Sequence, residues 1–322
     1  MRLIRLLIFA FTLLSPAAAA AADAYPTRPI RLVVPFPAGG TADVVARVIQ
    51  SGVGAQLGQS IVVDNRGGAN GIIGTDIVAK APPDGHTLLH TTGSFAINPS
   101  IYRKLPYDIF RDFEPVSSVV VGTGYLLLAH PAVPVSSAAE LVALAKKPQK
   151  VTYSSPGAGN PLHLAAELFN TRAGVKLMHV PYKGVAQAMN AAMSGEVQVM
   201  FIPATIALAH VKSGKLKGLA FTGSSRFPGL PDVPTMKEAG VANFELTGGW
   251  HAWFAPAKTP QSVLARLHEE IHKALQLQRV REAIIAGGYE PDGKSPAQSR
   301  KTLREEYERY AEMVRAANIP KE

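Results

Sequence analysis

The chain has 322 residues, 47% of them hydrophobic and 18% charged, with a formal net charge of +9 and no cysteine. That is apolar material enough for one large or two ordinary domains, and the lack of cysteine excludes disulfides, cysteine-bound metals, a thiol nucleophile and a lipid anchor on cysteine. The positive charge is dispersed, with no basic run longer than Lys146-Lys147 and no interleaved aromatics, which argues against nucleic acid and for a solvated surface that draws in small anions.

Residues 1–22 read as an export signal. Arg2 and Arg5 precede an apolar run, Leu6 to Leu14, that falls short of the ~20 residues a bilayer requires. Ser15-Pro16 breaks the run, and Ala20-Ala21-Ala22 fits the small-x-small rule for cleavage. The expected mature protein is exported, soluble and periplasmic.

The next stretch reads as strand, glycine loop and helix. Ile30 to Val34 is short, apolar and β-branched, which suits a buried strand. Pro35 and Pro37 end it, since proline donates nothing to a sheet ladder. Phe36, Ala38, Gly39 and Gly40 form the loop, Thr41 is the expected N-cap, and Asp43 falls in the first helical turn, where a carboxylate suits the helix dipole. Val44, Val45, Val48 and Ile49 are the expected buried face. Such a loop aims free N–H groups from a positive helix end, which is an anion site; a tight βα connection that binds nothing is the alternative.

Ser60 to Asp64 reads as a second strand. The glycines that follow it, Gly67, Gly68, Gly71 and Gly74, match neither a phosphate loop nor the dinucleotide G-x-G-x-x-G spacing. Thr87 to Thr92 is a third strand, and the hydroxyls at Thr92 and Ser94 near its end are candidate contacts, because ligands of open α/β sheets sit beyond the carboxyl ends of strands. Val119 to Val121, Gly122-Thr123-Gly124 and Tyr125 to Ala129 read as a crossing segment with a hinge. A new βα series follows. Ser137-Ala138-Ala139-Glu140 is a capping box. Val151 to Ser155 is a strand, and Pro156 to Asn160 a loop that opens a helix at Pro161 with Asn160 as its cap. This is a second glycine loop at a helix N-terminus, with Ser154, Ser155, Gly157, Gly159 and His163 as candidate contacts. Val175 to Val180, Val197 to Ile202 and Leu216 to Phe221 read as strands. Tyr182 stands at the end of the first of these, and Trp250 in the stretch Thr247 to Phe254 is either a cleft contact or a core residue. A long helix starts at Thr259-Pro260, and Ser295 to Gln298 is a capping box for the last one.

Several of these stretches carry a family resemblance. The pattern P-F-x-x-G-G-x-x-D-x-x-A-R at residues 35–47 resembles the periplasmic solute-binding proteins of tripartite tricarboxylate transporters, the Bug family. Asp64-Asn65-Arg66, Pro83 to Leu89, Asp112 to Ser117, His179 to Gly184 and Leu230 to Thr235 match in order. Residues 66–74 resemble the family's R-P-G-A-G-G-x-I-G, with Gly67 for the proline and Asn70 for one glycine. The resemblance implies an α/β, two-lobed periplasmic-binding-protein-like fold (type II) hinged around a central cleft. Lobe one is then 23–123 plus 248–322, and lobe two is 124–247. It implies capture of a small carboxylate by the backbone of Ala38, Gly39 and Gly40, with Asp43 organising the loop, and delivery to the large and small inner-membrane subunits of the transporter. The receptor is expected to be a monomer with no cofactor, no metal and no catalytic residue.

The alternative is a secreted α/β hydrolase. His268-Glu269-Glu270-Ile271-His272 is a literal H-E-x-x-H, but no third zinc ligand is recognisable. Ser154 or Ser155 with His163 would serve a serine hydrolase, but the nucleophile elbow G-x-S-x-G is absent.

Overall fold

A computed structural model describes residues 25–244, 246–247, 249–317 and 319–321; the expected signal segment lies outside them. The elements in order are β1 (Ile30–Val34), α1 (Thr41–Leu57), β2 (Ile61–Asn65), α2 (Ile72–Ala79), β3 (Thr87–Thr92), α3 (Ser94–Ile101), β4 (Phe113–Gly122), β5 (Tyr125–Ala129), α4 (Ala138–Ala145) and β6 (Thr152–Ser155). There follow α5 (Pro161–Ala173), β7 (Met178–Pro181), α6 (Val185–Ser194), β8 (Val199–Pro203), α7 (Ala204–Lys212), β9 (Lys217–Phe221), β10 (Trp250–Pro256), α8 (Gln261–Gln276), α9 (Gln278–Ala286), β11 (Tyr289–Lys294) and α10 (Pro296–Ala316).

The strands form two sheets, of order β11-β4-β10-β3-β1-β2 and β7-β6-β8-β5-β9. In the first, β1 runs parallel to β2 and β3, while β10 and β11 run antiparallel to β4. In the second, β6 is parallel to β7 and β8, and β5 is antiparallel to β8 and β9. The chain passes from one sheet to the other between β4 and β5 and returns between β9 and β10. The two crossings lie side by side, since the Gly122 N–H donates to the Gly249 carbonyl at 2.7 Å. Helix α10 packs on α3 and β4 beside the first sheet and on α5 beside the second. One apolar cluster therefore runs through both halves, joining Phe95 and Phe254 to Leu127 and Phe201 through Tyr310 and Met313.

Local chemistry sets the helix ends. Asn160 caps α5 by accepting from the Leu162 N–H at 3.0 Å, with Pro161 in the first turn and Gly174 left-handed at the C-terminus. Ser295 and Gln298 make a full capping box on α10. At α4 the box is half formed: Ser137 accepts from the Glu140 N–H, but the Glu140 carboxylate turns to Ser136 instead. Helix α1 starts one residue earlier than the capping signal implies, with Gly40 as an extended N-cap and Thr41 already helical. Its buried face is Ala42, Val45, Ala46, Ile49 and Val53, and Val44 is 50% exposed. The face turns because Gly52 lets α8 and α9 come close; a Cβ there would meet Ala274 at 3.0 Å. Val175 to Leu177 lie outside β7. The edge strand β11 is hidden in sequence by Pro291, Asp292 and Gly293, which read as a turn; a register shift between Pro291 and Lys294 accommodates them.

Imidazoles are buried in both halves. Trp253 Nε1 donates to His90 Nδ1 at 2.9 Å, and His90 Nε2 lies 3.0 Å from His251 Nδ1. An indole only donates, so His90 carries its proton on Nε2 and donates it to His251. Burial pushes His251 down to about 3, and pushes His90, with the neighbouring His251 adding, well below its ordinary value. Burial likewise lowers His163 and His179, each to about 4. These four are neutral in the folded protein at pH 5 and protonated once unfolded, so stability is full above the unfolded value of ~6.5 and falls as pH drops below it. On unfolding near pH 5 these four histidines should together bind about three to four protons. The pH dependence of denaturant unfolding measures this, and uptake of less than one proton would mean that the imidazoles are open to water.

Candidate functional site

The two glycine loops have the same construction. In the first, Gly39 has φ +75 and its N–H donates to Asp43 Oδ2 at 2.9 Å, while the Gly40 N–H donates to the Pro37 carbonyl at 3.3 Å. In the second, Gly159 has φ +70 and its N–H donates to His163 Nδ1 at 3.2 Å, while the Asn160 N–H donates to the Gly157 carbonyl at 3.4 Å. Each loop is thus a turn whose left-handed glycine is held by a side chain four residues on, in the first turn of the following helix. The loop N–H groups differ in whether they have partners. The N–H groups of Gly39 and Gly40 are already engaged, whereas those of Ala38 and, in the other loop, Ala158 donate to no group among the described residues. The glycine at φ +75 is Gly39; Gly40 is extended at φ −77.

Asp43 is 3% exposed. Burial pushes its carboxyl up, but bonds from Arg47, the Gly39 N–H and Asn65 outweigh this and hold it below its ordinary value. Arg47 Nε lies 3.0 Å from both carboxylate oxygens, and Asn65 links Arg47 to the Phe36 carbonyl. Asp43 therefore organises the loop, with its charge answered by Arg47. Phe36 packs on the lobe-one core, near Gly71. Gly74 permits this crowding: a Cβ there would lie 2.7 Å from the Arg66 carbonyl and 2.9 Å from Pro35 Cα.

Asn70 reaches the second loop, which pattern reading missed; its only signal was a glycine replaced within a glycine-rich stretch. It sits at φ +50. Its Nδ2 donates to Asn98 Oδ1 at 2.8 Å and to the Gly159 carbonyl of the second loop at 3.0 Å. Ser94, expected at the cleft, is 1% exposed and donates to Asn70 Oδ1 at 3.1 Å. Thr92 is half-buried at the end of β3, opposite His251 of β10.

In the second half, Ser154 and Ser155 are both fully buried and leave β6 on opposite faces. Ser154 donates to the Ala188 carbonyl of α6 at 3.0 Å. Ser155 Oγ lies 2.6 Å from His179 Nε2 and accepts from the Gly157 N–H at 3.2 Å. His179, the parallel-register partner of Tyr153, was absent from the sequence candidates because only the sheet register brings it here. Its ring stacks on His163 at 4.2 Å and on Tyr153 at 4.9 Å. The Ser–His163 pair that a serine hydrolase would need does not form; Ser155 meets His179 instead, with the hydroxyl closed off from solvent.

The side chains of Tyr182 and Trp250 have partners of their own. The Tyr182 hydroxyl donates to Glu196 at 2.7 Å, past the far end of α6 from its N-terminus. Trp250 is 4% exposed in the core beside Phe254. It lines a ≈ 220 Å³ cavity at the second crossing, with Thr247, Asp292, Lys294 and Glu306. The Tyr182 backbone does adjoin the second glycine loop, its N–H donating to the Ser155 carbonyl at 2.9 Å, while its ring reaches away to Glu196. His268 and His272 have ring centroids 6.2 Å apart, and Glu269 pairs with Lys273 at 2.6 Å. Among the described residues no group of three His, Cys, Asp or Glu is placed to hold a metal ion.

Comparison with known proteins places this geometry. Residues 45–319 match the model of the tripartite tricarboxylate transporter family receptor. The chain is 38% identical over 302 residues to Protein BugT of Bordetella pertussis, covering 93% of this chain and 92% of that one. It superposes on the periplasmic binding protein BugD with a TM-score of 0.85 at 34% identity, over 92% of this chain and 100% of that one. Rpa4515 of R. palustris, solved with adipate, gives 0.86 at 33% identity, over 92% and 100%. MatC of Rhodopseudomonas palustris, solved with malate, gives 0.83 at 31%, over 90% and 100%. The chain therefore belongs to the tripartite tricarboxylate transporter family of receptors, as a solute-binding protein of two-lobed type II fold.

Proposed function

We propose that this receptor captures a small dicarboxylate between its two glycine loops and hands it to the large and small inner-membrane subunits of a tripartite transporter. The observation that carries the reading is the matched pair of loops. Each leaves one alanine N–H, at Ala38 and at Ala158, free beside the first-turn N–H groups of a helix, and so offers an anion site. Two such sites on facing lobes suit a ligand with a carboxylate at each end. Structural neighbours solved with malate and with adipate agree in ligand class. Thr41 and Thr92 stand at the rim as further contacts.

The lobes divide at 123/124 and 247/248, and residues 1–22 act as a signal removed on export to the periplasm. The receptor works as a monomer and turns nothing over. A hydrolase would need an accessible nucleophile, and the Ser155 hydroxyl is buried. Binding without turnover is expected to close the lobes on the ligand.

Two measurements test this. Adipate or malate at 100 times its dissociation constant should stabilise the protein by about 2.7 kcal/mol, read as a rise in melting temperature. The corresponding diamide should give no rise, since it lacks the charge that helix ends favour. Equal stabilisation by acid and amide would remove the anion site from the reading.

The second measurement concerns Asp43. Asp43→Ala strips the anchor from the Gly39 N–H and the partner from Arg47, which should cost about 1–3 kcal/mol of stability and loosen the donor loop. Calorimetric affinity for the stabilising dicarboxylate should fall at least tenfold. Unchanged affinity would show that the first loop does not hold the ligand.

A further inference from the structure

Across the gap between the lobes, Asn70 grips the second glycine loop. Its Nδ2 donates to the Gly159 carbonyl at 3.0 Å, while the N–H of the same glycine is held by His163 at 3.2 Å. Gly159 is thus pinned on one side from its own lobe and on the other from the opposite lobe. The Asn70 side chain is itself fixed: Ser94 donates to its Oδ1, its Nδ2 also donates to Asn98 Oδ1, and Asn98 Nδ2 donates back to the Asn70 carbonyl at 3.2 Å. Ser94 and Asn98 are each 1% exposed, so the amide is oriented by buried groups.

The partner surface is shaped to match. A Cβ on Gly159 would lie 2.8 Å from Ile101 Cδ1 and 3.1 Å from Asn70 Nδ2, and the φ of +70 favours glycine besides. Asn70 also occupies a left-handed backbone position, φ +50, which asparagine tolerates better than most residues. It stands where the family pattern has glycine, which has no side chain to reach across.

We propose that Asn70 is a positioning residue that sets how far the lobes close, by docking the Gly159 carbonyl onto an amide preoriented by Ser94 and Asn98. Closure is thereby favoured before any ligand arrives, and the second loop is carried to the height at which the Ala158 N–H meets a bound anion. The inference rests on the two-lobed binding reading, but its test needs no ligand.

The chain has no cysteine, so two can be introduced cleanly. Ala55→Cys on α1 and Lys212→Cys at the end of α7 are exposed positions in opposite lobes. Spin labels there report the lobe separation of the unliganded protein by double electron–electron resonance. With Asn70 intact, the short separation should dominate. Asn70→Gly, which keeps the left-handed backbone, should move the short-to-long ratio about fivefold towards long, the size expected for one neutral hydrogen bond. Asn70→Asp keeps the volume and the Ser94 bond but sets a carboxylate against the Gly159 carbonyl, so it should move the ratio at least as far. It also carries the test alone if the glycine variant fails to fold. Thermal melting within a few degrees of the parent separates lost closure from lost folding. Distance distributions identical to the parent in a folded Asn70 variant would overturn the proposal. Failure of the carboxylate reading with a shifted distribution would leave it standing.

Discussion

The buried carboxylate of Asp43 is the constraint on which the first lobe's site depends. A carboxylate out of water must be paired and hydrogen-bonded to stay charged. Here it meets that demand with Arg47 and with the N–H of the one loop residue in a left-handed conformation, Gly39. Satisfying Asp43 therefore fixes the turn, and fixing the turn leaves the Ala38 N–H pointing away from the protein's own acceptors. His163 does the same for Gly159 in the second lobe, but as a neutral acceptor. A second carboxylate in that position would add negative charge beside the proposed anion site with no Arg47 equivalent to answer it. Loops held in this way lose little freedom on binding, which is what preorganisation contributes to affinity.

The two lobes are also less independent than a simple hinge implies. Their apolar cluster is continuous through α10, and glycines mark the places where the halves touch. A Cβ on Gly93 would lie 2.8 Å from the Tyr310 hydroxyl and 3.2 Å from Pro161. One on Gly288 would collide with Thr205, whose hydroxyl donates to the Gly287 carbonyl at 2.8 Å. Residues without side chains let backbone from one half lie against side chains of the other, so small rotations change many contacts together. Interfaces of this kind tend to settle into discrete arrangements rather than deform continuously.

Much of this was legible in the sequence, for physical reasons that differ by element. The strands β1 and β3 and the helix α5 declare themselves through apolar runs, prolines and caps, which act locally. The role of Asp43 was legible because a helix N-terminus and a preceding Gly-Gly restrict what a carboxylate can do there. Which N–H groups stay free was not, because that depends on the loop's torsions: with Gly39 left-handed and Gly40 extended, the N–H without a partner is that of Ala38. His179 reaches Ser155 only through the β6–β7 register, and Tyr182 points along α6 because Glu196 lies at its far end. Trp250 joins the core because β10 alternates, placing Trp250, Ala252 and Phe254 on one face and His251 and Trp253 on the other. Tertiary register decided each of these, and periodicity in a single chain carries no record of it.

The charge arrangement explains how a basic protein can have a site with so little formal charge in it. The imidazoles beneath the second loop are held neutral by burial, and Asp43 beneath the first is offset by Arg47. What remains at the loops is the partial positive charge of the α1 and α5 N-termini and the amides beside them. A fixed lysine or arginine would bind almost any anion that reached it, and its strength would depend heavily on salt. Amides in a turn accept an anion only along their own N–H directions, so they favour a planar carboxylate that can meet them. The dispersed net positive charge of the chain then acts at long range, raising the local concentration of anions. In the proposed site, recognition is left to backbone geometry that the buried Asp43 and His163 and the half-buried Asn70 hold in place.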